Sequence, residues 1–272
     1  MTKQYIPESA MAIYAHPDDI EFSCAGTMAR WAKDGARISY ILITNGDVGI
    51  ADPTISKAEA VKIRQKEAKD AADIAGATEI VFIGEHDGML QPTMELRKRL
   101  VREIRRFRPE VVITSDPTLV LASEQYINHP DHRAASTAAL DAVFPAAGQP
   151  NLFEEIEAED GYKAFKPRKV FISSWSNQDT FINIDETIGI KVKALKAHKS
   201  QMEGWDPEPR IKEWSAEVAK GKEMEYAEGY RVITLVSDED WELCKGDPFV
   251  LDKKKKEKQK ELEKEKVKSN SK

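Results

Sequence analysis

Short apolar runs that alternate with longer helical segments constrain the fold of this chain more than any other feature. Six runs rich in β-branched and aromatic residues are predicted strands: residues 10–15, 37–43, 79–83, 110–114, 169–173 and 230–236. Helical patterns lie between or after them: about residues 18–33, 56–75, 92–107, 130–143 and 185–202, with a further helix after Pro207. This alternation predicts an α/β fold with a mostly parallel sheet flanked by helices. The first four runs are nearly continuous apolar stretches, as expected for strands buried on both faces.

The chain of 272 residues shows no internal repeat and no convincing linker, so residues 1–252 are predicted to form a single domain. Residues 253–272 differ, because ten lysines and four glutamates there give a net charge of +6. In a helix their like charges would recur every four residues, which opposes helix formation. A Lys/Glu-rich low-complexity tail without regular structure is therefore expected. Segment 156–165 is expected to be a loop.

The overall net charge of −6 conceals this basic tail, since residues 1–252 carry −12. An acidic body offers no electrostatic footprint for nucleic acid, so no nucleic-acid partner is predicted. No apolar run approaches the roughly 18 residues that span a bilayer, and the first seven residues lack a signal-peptide pattern. A cytoplasmic protein without membrane insertion is expected. Two cysteines are too few for a disulfide framework, and Cys24 is expected to be a small buried residue rather than a ligand.

Two His-Pro-Asp motifs contain three of the five histidines of the chain. The first, HPDDIE at residues 16–21, directly follows the first predicted strand, and the second is HPDHR at residues 129–133. Proline and aspartate in these positions also suit the start of a helix, but helix capping does not call for three histidines. The i,i+3 spacing within each motif lets two side chains reach one point above the first helical turn.

Each motif is expected to follow the carboxyl end of a parallel strand, which would bring both to the edge where open α/β sheets bind ligands. Two imidazoles and one carboxylate, with a fourth position left for water, form the pattern of catalytic zinc. The sequence therefore predicts a divalent metal site suited to hydrolysis, with the remaining Asp and His free to move protons.

The paired motifs resemble those of the PIG-L/LmbE-type zinc-dependent N-deacetylases. The similarity covers about residues 10–236 and includes five further segments: Gly26–Ala29, residues 44–46, Arg64–Gly76, Asp87-Gly88 and residues 227–230. The resemblance implies a Rossmann-like fold, one Zn²⁺ per chain, and removal of an acetyl group from an N-acetylated amino sugar, its glycoside or its conjugate. Fe²⁺ fits the same kind of ligand set. The resemblance also implies a homo-oligomer, a trimer or a hexamer.

The same resemblance assigns a role to each residue of the two motifs. The expected zinc ligands are His16, Asp19 and His132. Asp18 is the expected general base, which takes a proton from the attacking water. His129 is expected to stabilise the oxyanion and to protonate the departing amine. Asp131 is expected to hold the His129 ring and to raise its pKa.

Residues outside the motifs complete the expected site. The substrate-binding set that the resemblance implies is Arg64, Asp87 and Asp47. Arg64 has an alternative interpretation as an exposed charge on a helix. Tyr126 is a candidate donor to the oxyanion, and Glu21 is expected beside the ligands rather than among them. The small-molecule substrate is the expected partner.

Four further residues have structural interpretations that compete with functional ones. His86 and His198 are expected to be surface or packing histidines rather than members of the site. Trp205 and Trp214 either cover the cleft or stack on a sugar, or they pack in the core or in a subunit interface. No sequence pattern separates these alternatives.

Three other functions compete with deacetylation. A zinc amidase that cleaves a thiol-conjugate or another non-sugar amide would keep the same metal chemistry. A nucleotide-binding protein of the same fold class is disfavoured, because no G-x-G-x-x-G follows the first strand. A metal-binding module without turnover is disfavoured, because Asp18 and His129 accompany the expected ligands.

Overall fold

The computed structural model describes residues 5–174 and 176–270, and nine strands lie among them. Their bounds, in chain order, are β1 Ser9–Tyr14, β2 Arg37–Thr44, β3 Glu79–Glu85, β4 Val111–Ser115, β5 Leu121–Ser123, β6 Tyr126–Ile127, β7 Lys169–Ser173, β8 Thr180–Asn183 and β9 Ala227–Thr234. Seven strands form one sheet in the order β3-β2-β1-β4-β7-β9-β8, while β5 and β6 form a separate antiparallel hairpin. The first five strands in this order, β3, β2, β1, β4 and β7, are parallel to one another. Strand β9 runs antiparallel to both of its neighbours. The predicted mostly parallel sheet is confirmed.

Eleven helices lie in the same part of the chain. Their bounds are α1 Asp19–Ser23, α2 Ala25–Lys33, α3 Lys57–Ala75, α4 Met94–Phe107, α5 Pro130–Val143, α6 Glu155–Asp160, α7 Ile188–Lys196, α8 Lys199–Met202, α9 Glu208–Ala219, α10 Asp238–Cys244 and α11 Pro248–Asn270. Two short 3-10 turns accompany them, Asp47–Gly49 and Ala146–Gly148. Local signals fix the ends of α3, because the Ser56 side chain accepts from the backbone N–H of Glu59 and Gly76 ends the helix with a φ of 79°.

Two apolar layers cover the two faces of the sheet. Along β1, Met11 and Ile13 face the layer that contains side chains of α4 and α5. Ala10 and Ala12 face the opposite layer, which contains side chains of α2, α3 and α7. Alternate side chains of a strand point to opposite faces, so β1 is buried on both sides, as its continuous apolar run predicts.

The order of the strands determines where the two motifs meet. The chain builds outward from β1 to β3 and then returns to place β4 beside β1, with Ala10 opposite Val111. Between β1 and β4 the strand order reverses, and open α/β sheets form their ligand crevice at the carboxyl ends of strands at such a point. The first motif follows β1, and the second begins at His129, the N-cap of α5, and continues into the first turn of that helix.

The long helices expected at residues 18–33 and 185–202 are each divided in the structure. Cys24, with a φ of −139°, separates α1 from α2. The carboxylate of Glu228 accepts from the backbone N–H groups of Gly26 and Thr27 at 3.0 and 2.7 Å, and so satisfies the start of α2. Helical periodicity continues across the break, because apolar residues on both sides of it, Ile20, Met28 and Trp31, are buried in the same layer. A sequence pattern therefore does not reveal it.

The prediction of a loop at residues 156–165 is wrong in its first half, which belongs to helix α6. This helix is ended by Gly161, which has a φ of 76°. Ile156 is buried, which anchors this short helix to the core. The sequence also did not predict β8 or the β5–β6 hairpin. These strands are only two to four residues long, too short for a period-two pattern to stand out.

The tail expected beyond residue 252 is helical up to Asn270, so the expected absence of regular structure is wrong. Asp247 accepts from the backbone N–H groups of Phe249 and Val250, and Leu251 is buried against the core. These contacts order the first turn, from which helix propagation costs little. The boundary at residue 252 stays a prediction, and residues 271–272 lie outside the described residues.

No helix in the described part of the chain is both long enough and apolar enough to cross a membrane. The cytoplasmic location stays a prediction from the sequence.

Candidate metal centre and active-site cavity

A cavity of about 1050 Å³ opens at the carboxyl edge of the parallel strands. Both motifs line it, through His16, Asp18 and Asp19 from the first and His129 and His132 from the second. The expectation that the two motifs meet at one sheet edge therefore agrees with the structure. The volume is at the upper end of the roughly 300–1,000 Å³ found for small-molecule sites.

The three histidines of the motifs form one cluster. Each can offer a ring nitrogen, and these nitrogens all lie within 4.8 Å of one another. The ring centroids of His16 and His129 are 4.9 Å apart, and those of His16 and His132 are 5.2 Å apart. Residues more than a hundred positions apart in the sequence are thus brought together by the pairing of β1 with β4.

Asp19 contacts both histidines with which it was predicted to share a metal. Its Oδ1 lies 3.0 Å from Nε2 of His132, and its Oδ2 lies 3.4 Å from Nδ1 of His16. Burial raises the pKa of Asp19, but the charges of His132 and His16 outweigh burial and hold the pKa well below its usual range. The predicted ligands therefore form a contiguous group, with an ionised carboxylate between two imidazoles.

His132 is oriented by Asn128, a residue for which no role was predicted. Nδ1 of His132 lies 3.1 Å from Oδ1 of Asn128, and the Asn128 amide donates to the Leu119 carbonyl at 2.8 Å. An amide oxygen only accepts, so Nδ1 carries a proton, and Nε2, which contacts Asp19, is the nitrogen that faces the predicted ligands. Ligand histidines are commonly fixed in this way by a partner on the other nitrogen. The available signal was the position of Asn128, directly before the second motif.

Two further carboxylates surround His16. Its Nε2 lies 3.0 Å from Oδ1 of Asp87 and 3.4 Å from Oδ2 of Asp131, and the three residues also form a group able to hold a metal. Burial lowers the pKa of His16, but the charge of Asp19 and the hydrogen bond with Asp131 outweigh it and raise the pKa to about 12. The carboxylates thus give this centre a negative electrostatic potential, which favours binding of a cation.

Asp131 holds His129 and raises its pKa, but not through a contact of its carboxylate with the ring. Its carboxylate accepts from the backbone N–H groups of Gly88 and Leu90 at 2.7 and 3.2 Å, and its backbone N–H donates to Nδ1 of His129 at 3.2 Å. The Asp131 charge does raise the pKa of His129, but burial and the neighbouring charge of His16 outweigh it, and the pKa is lowered. Asp131 therefore holds the His129 ring through its main chain, and the Nε2 of His129 is the nitrogen that can carry a proton.

Asp18 lies beside the cluster in an unusual backbone conformation, with a φ of 100°. Its Oδ2 accepts from Nη2 of Arg64 at 3.1 Å. Burial raises the pKa of Asp18 to about 6, with Arg64 opposing the rise and Asp19 adding to it. Non-glycine residues with positive φ cost about 1–3 kcal/mol and recur at functional sites, where the surrounding structure holds them.

Arg64 is buried, so its alternative interpretation as an exposed helix charge is wrong. Its Nη2 also donates to the Pro17 carbonyl, while its Nε and Nη1 have no hydrogen-bond partner among the described residues. Gly46 makes room for it: a Cβ there would lie 2.7 Å from Cδ of Pro17 and 3.0 Å from Nε of Arg64. The glycine also has a φ of 63°, which other residues rarely adopt.

The remaining candidates differ in how they relate to the cavity. Asp87 and Tyr126 line it, and Tyr126 is half-exposed at the mouth. Asp47 begins the 3-10 turn at the rim of the cavity. Its neighbours Gly46 and Val48 line the cavity, but Asp47 itself is not among the described lining residues.

His86 is exposed and His198 is completely buried, and neither lines the cavity as the structure describes it. The Nε2 of His198 lies 3.1 Å from Oε2 of Glu21, which is itself buried. This agrees with the structural interpretation of both histidines. Trp214 lines the cavity, and Trp205 stacks on Phe22 with 6.4 Å between ring centroids.

The donor set fits a catalytic divalent cation. Imidazole and carboxylate ligands converge on an open cavity, whereas a structural zinc site is closed by four ligands. The hydrogen bond from His132 to Asn128 supplies the outer support that such ligands require. Among the described residues, the groups whose ligand atoms converge are His16 with His129 and His132, and His16 with Asp87 and Asp131. The set His16, Asp19 and His132 stays a prediction.

Comparison with known proteins agrees with the resemblance seen in the motifs. A family model described as "PIG-L: GlcNAc-PI de-N-acetylase" matches residues 11–143. The diacetylchitobiose deacetylase of Thermococcus kodakarensis is 31% identical over 229 residues, which cover 83% of this chain and 83% of that enzyme. The chain belongs to the PIG-L family. The 1D-myo-inositol 2-acetamido-2-deoxy-alpha-D-glucopyranoside deacetylase of Rhodococcus erythropolis is 28% identical over 245 residues and covers 71% of this PIG-L chain and 80% of its own.

A solved structure shows the same fold. The N,N'-diacetylchitobiose deacetylase from Pyrococcus horikoshii superposes with a TM-score of 0.75 at 26% identity, over 84% of each chain. The predicted family and its Rossmann-like fold are confirmed. In this PIG-L chain, both His-Pro-Asp motifs lie inside the segment that matches the family model, whereas α9 and β9 lie beyond it.

Proposed function

We propose that this chain is a metal-dependent N-deacetylase, which hydrolyses the acetamide of an N-acetylated amino sugar or of its glycoside or conjugate. One observation carries the proposal. The imidazoles of both motifs converge within 4.8 Å in an open cavity, with the carboxylates of Asp18 and Asp19 beside them. Membership of the PIG-L family and the deacetylase activity named for its relatives support the same reaction.

Zinc, one ion per chain, is the proposed metal, and Fe²⁺ suits the same ligands. His16, Asp19 and His132 would hold it. A bound divalent cation supplies Lewis-acid polarisation of the amide carbonyl and lowers the pKa of coordinated water. The rest of the reaction depends on proton transfers that protein side chains can perform.

Asp18 is the proposed general base. A pKa of about 6 leaves its carboxylate ionised at neutral pH but more basic than an ordinary aspartate. It accepts the proton of the attacking water as the new C–O bond forms at the acetyl carbon. His129 donates a hydrogen bond from Nε2 to the oxyanion. When the C–N bond breaks, the proton that Asp18 took from water is delivered to the departing nitrogen, so that acetate and the free amine are released and Asp18 is again a carboxylate.

Arg64 and Asp87 are the proposed contacts to the sugar. The Nε and Nη1 of Arg64 are buried without a hydrogen-bond partner among the described residues, and Arg64 lines the cavity. A buried donor left unsatisfied is costly, so a ligand hydroxyl or carbonyl would recover free energy here. Asp47 stays a weaker member of this set, since its neighbours rather than its own side chain line the cavity.

The test is acetate release from N-acetylglucosamine and its glycosides by the zinc-loaded protein. Release that a chelator suppresses, that zinc restores and that Asp18→Asn abolishes would support the proposal. Asp52→Asn is the matched control, because Asp52 is exposed and outside the cavity lining. Absence of acetate release, with one zinc bound per chain, would contradict it.

We also propose a homo-oligomer, in which exposed apolar side chains near the cavity mouth are covered by a second copy. Leu121 and Ile127, which pair across the β5–β6 hairpin, are 75% and 69% exposed. Such clustering of exposed apolar groups is typical of interaction surfaces. Light scattering should give a multiple of the chain mass that falls in Leu121→Asp/Ile127→Asp but not in Leu243→Asp, a half-exposed control on α10.

A further inference from the structure

We propose that the part of the cavity between α9 and β9 is a subsite for an uncharged, apolar aglycone, an aryl or alkyl group attached to the acetylated amino sugar. This inference rests on the proposed deacetylase function and specifies its substrate class. We call this part of the cavity the α9 lobe and define it by Phe22, Ile211, Trp214, Val218 and Ala227, all of which line the cavity.

The α9 lobe is built from one face of a helix. Ile211, Trp214 and Val218 follow one another at intervals of three and four residues, so they share one side of α9. Ala227 of β9 and Phe22 of α1 provide apolar surface from two other elements. Three separate segments therefore contribute apolar side chains to one concave surface that continues from the metal centre.

Trp214 provides the largest apolar surface of the lobe. It is 45% exposed, although it lines a concave site, and the guanidinium of Arg210 lies 5.4 Å from its ring centroid. Arg210 also pairs with Glu213 at 2.9 Å. Half-exposed indoles in cavities are energetically favourable contacts for flat or apolar ligand groups, because each buries a large area without losing many rotamers.

The charges beside the lobe do not call for a charged aglycone. Lys191 and Glu228 both line the cavity, but they pair with each other at 2.5 Å and both are buried. Lys191 further donates to the Phe22 carbonyl at 2.9 Å. Since this lysine already has partners and Arg210 pairs with Glu213, an anionic aglycone would find no unpaired cation among the described residues of this region.

The size of the cavity supports an extended substrate. About 1050 Å³ is at the upper end of the roughly 300–1,000 Å³ found for small-molecule sites, which leaves room beside a single sugar. The acetamide must lie at the metal centre, and Arg64 and Asp87 stand on the β2–β3 side of it. The α9 lobe lies on the opposite side, toward β9, so a group carried by the sugar can occupy it while the acetamide reacts.

The experiment measures kcat/KM for acetate release from a series of N-acetylglucosaminides, each as both anomers. The series contains methyl, phenyl and octyl glycosides, chitobiose as a polar aglycone and a malate glycoside as an anionic one. Phenyl and octyl glycosides are expected to exceed the methyl glycoside by about tenfold or more, mainly through a lower KM, as burial of a few apolar carbons predicts. Trp214→Ala and Val218→Asp are expected to remove most of this preference.

Phe249→Ala is the matched control, because Phe249 is also a half-exposed aromatic residue but lies on α11 outside the cavity lining. It should keep the preference intact. Melting temperatures of all variants separate folding defects from loss of the subsite, and Trp214→Ala, at an exposed position, decides the outcome if Val218→Asp fails to fold.

Several results would overturn the inference. Equal kcat/KM for methyl and phenyl glycosides, a preference for chitobiose or the malate glycoside, or an unchanged preference in Trp214→Ala would each do so. If no glycoside releases acetate, the proposed function fails. Calorimetry then tests the lobe independently, with tighter binding of the phenyl than of the methyl glycoside as the expected result, and equal binding as the contrary one.

Discussion

The guanidinium of Arg64 donates a hydrogen bond from Nη2 to Oδ2 of Asp18 over 3.1 Å, across 46 positions of sequence. The same nitrogen donates to the carbonyl of Pro17, so one side chain contacts both the carboxylate and the main chain of the first motif. Asp18 has a φ of 100°, and these contacts help to hold it there. The backbone of Asp18 is strained, and a buried cation holds its carboxylate beside the candidate metal centre. This arrangement suits a base that must be directed at one water molecule.

Asp18→Asn tests the role of this carboxylate as the base. It keeps the size of the side chain and tolerates a positive φ, but it cannot take a proton. We expect kcat to fall by about 10²–10⁴-fold with unchanged zinc content, because the base and not a ligand is removed. Acetate release and metal analysis on the same preparation check this. Near-normal turnover would exclude Asp18 as the base.

His132 and His129 should respond differently to removal of the imidazole. His132→Ala should lose most of the bound zinc, since Nε2 of His132 contacts Asp19 within the ligand group. His129→Ala should retain zinc and lose turnover by about 10²-fold or more. Equilibrium zinc affinity and kcat, measured for both variants, distinguish ligand from proton donor. Equal zinc loss in both would make His129 a ligand instead.

Asn128 offers a test of the support behind the ligands. Asn128→Ala removes the acceptor of the His132 Nδ1–H and should weaken zinc binding by about 10–100-fold. Asn128→Asp is the matched variant, because it also loses the bond to the Leu119 carbonyl but keeps an acceptor for His132. It should bind zinc at least as well as the parent. Equal losses in both variants would show that the bond to Leu119 is what matters.

The buried pair of Lys191 and Glu228 should be unequally sensitive to loss of either partner. Glu228→Gln leaves the cation of Lys191 buried without a counter-charge, and is expected to cost about 3–5 kcal/mol of unfolding free energy. Lys191→Met should cost less, because Glu228 keeps hydrogen bonds from two backbone amides and from Tyr230. Urea unfolding of the zinc-loaded proteins measures both, and the reverse order would contradict this account.

His198 should make stability depend on pH. Burial lowers its pKa, but the hydrogen bond with Glu21 and the charges of Glu21 and Asp18 outweigh burial and the opposing charge of Arg64, and the pKa is raised. Protonated His198 therefore stabilises the fold fully below the unfolded pKa of about 6.5, and this contribution disappears as pH rises through the folded pKa.

His198→Gln keeps a donor for Glu21 but has no titrating proton. The difference in unfolding free energy between parent and variant should therefore shrink as the pH rises above the unfolded pKa of about 6.5. Urea unfolding across this range measures it. A difference that does not change with pH would mean that His198 is neutral in the folded chain.

The parts of the site that sequence reasoning reached were those encoded within a few residues. The apolar run before His16 and the i,i+3 spacing of both motifs are local, and the sheet rule then brings the motifs together. The burial of Arg64 was not local: it depends on the turn at Gly46 and on Pro17, both far away in sequence. Periodicity alone leaves a charged residue on a helix equally compatible with solvent and with the interior.

The contacts of the Asp131 carboxylate were not predicted, for a similar reason. Its position two residues after His129 made it a natural carboxylate partner for that ring, but backbone amides of Gly88 and Leu90 take up both carboxylate oxygens. The β3–α4 loop that supplies them is about forty residues away in sequence. The Asp131 carboxylate therefore makes long-range contacts instead of the expected local one, and the residues of the second motif do not indicate this.

Glu228 limits how far this protein can be treated as modular. The segment that matches the family model ends at residue 143, yet a carboxylate from β9 closes the first turn of α2, directly after the helix that carries Asp19. The segment that matches the family model is thus held in part by a strand that lies more than 80 residues beyond its end. Exchange of loops to redirect specificity should therefore leave residues 227–230 in place. A fragment without β9 would lack the carboxylate that accepts from the backbone N–H groups at the start of α2.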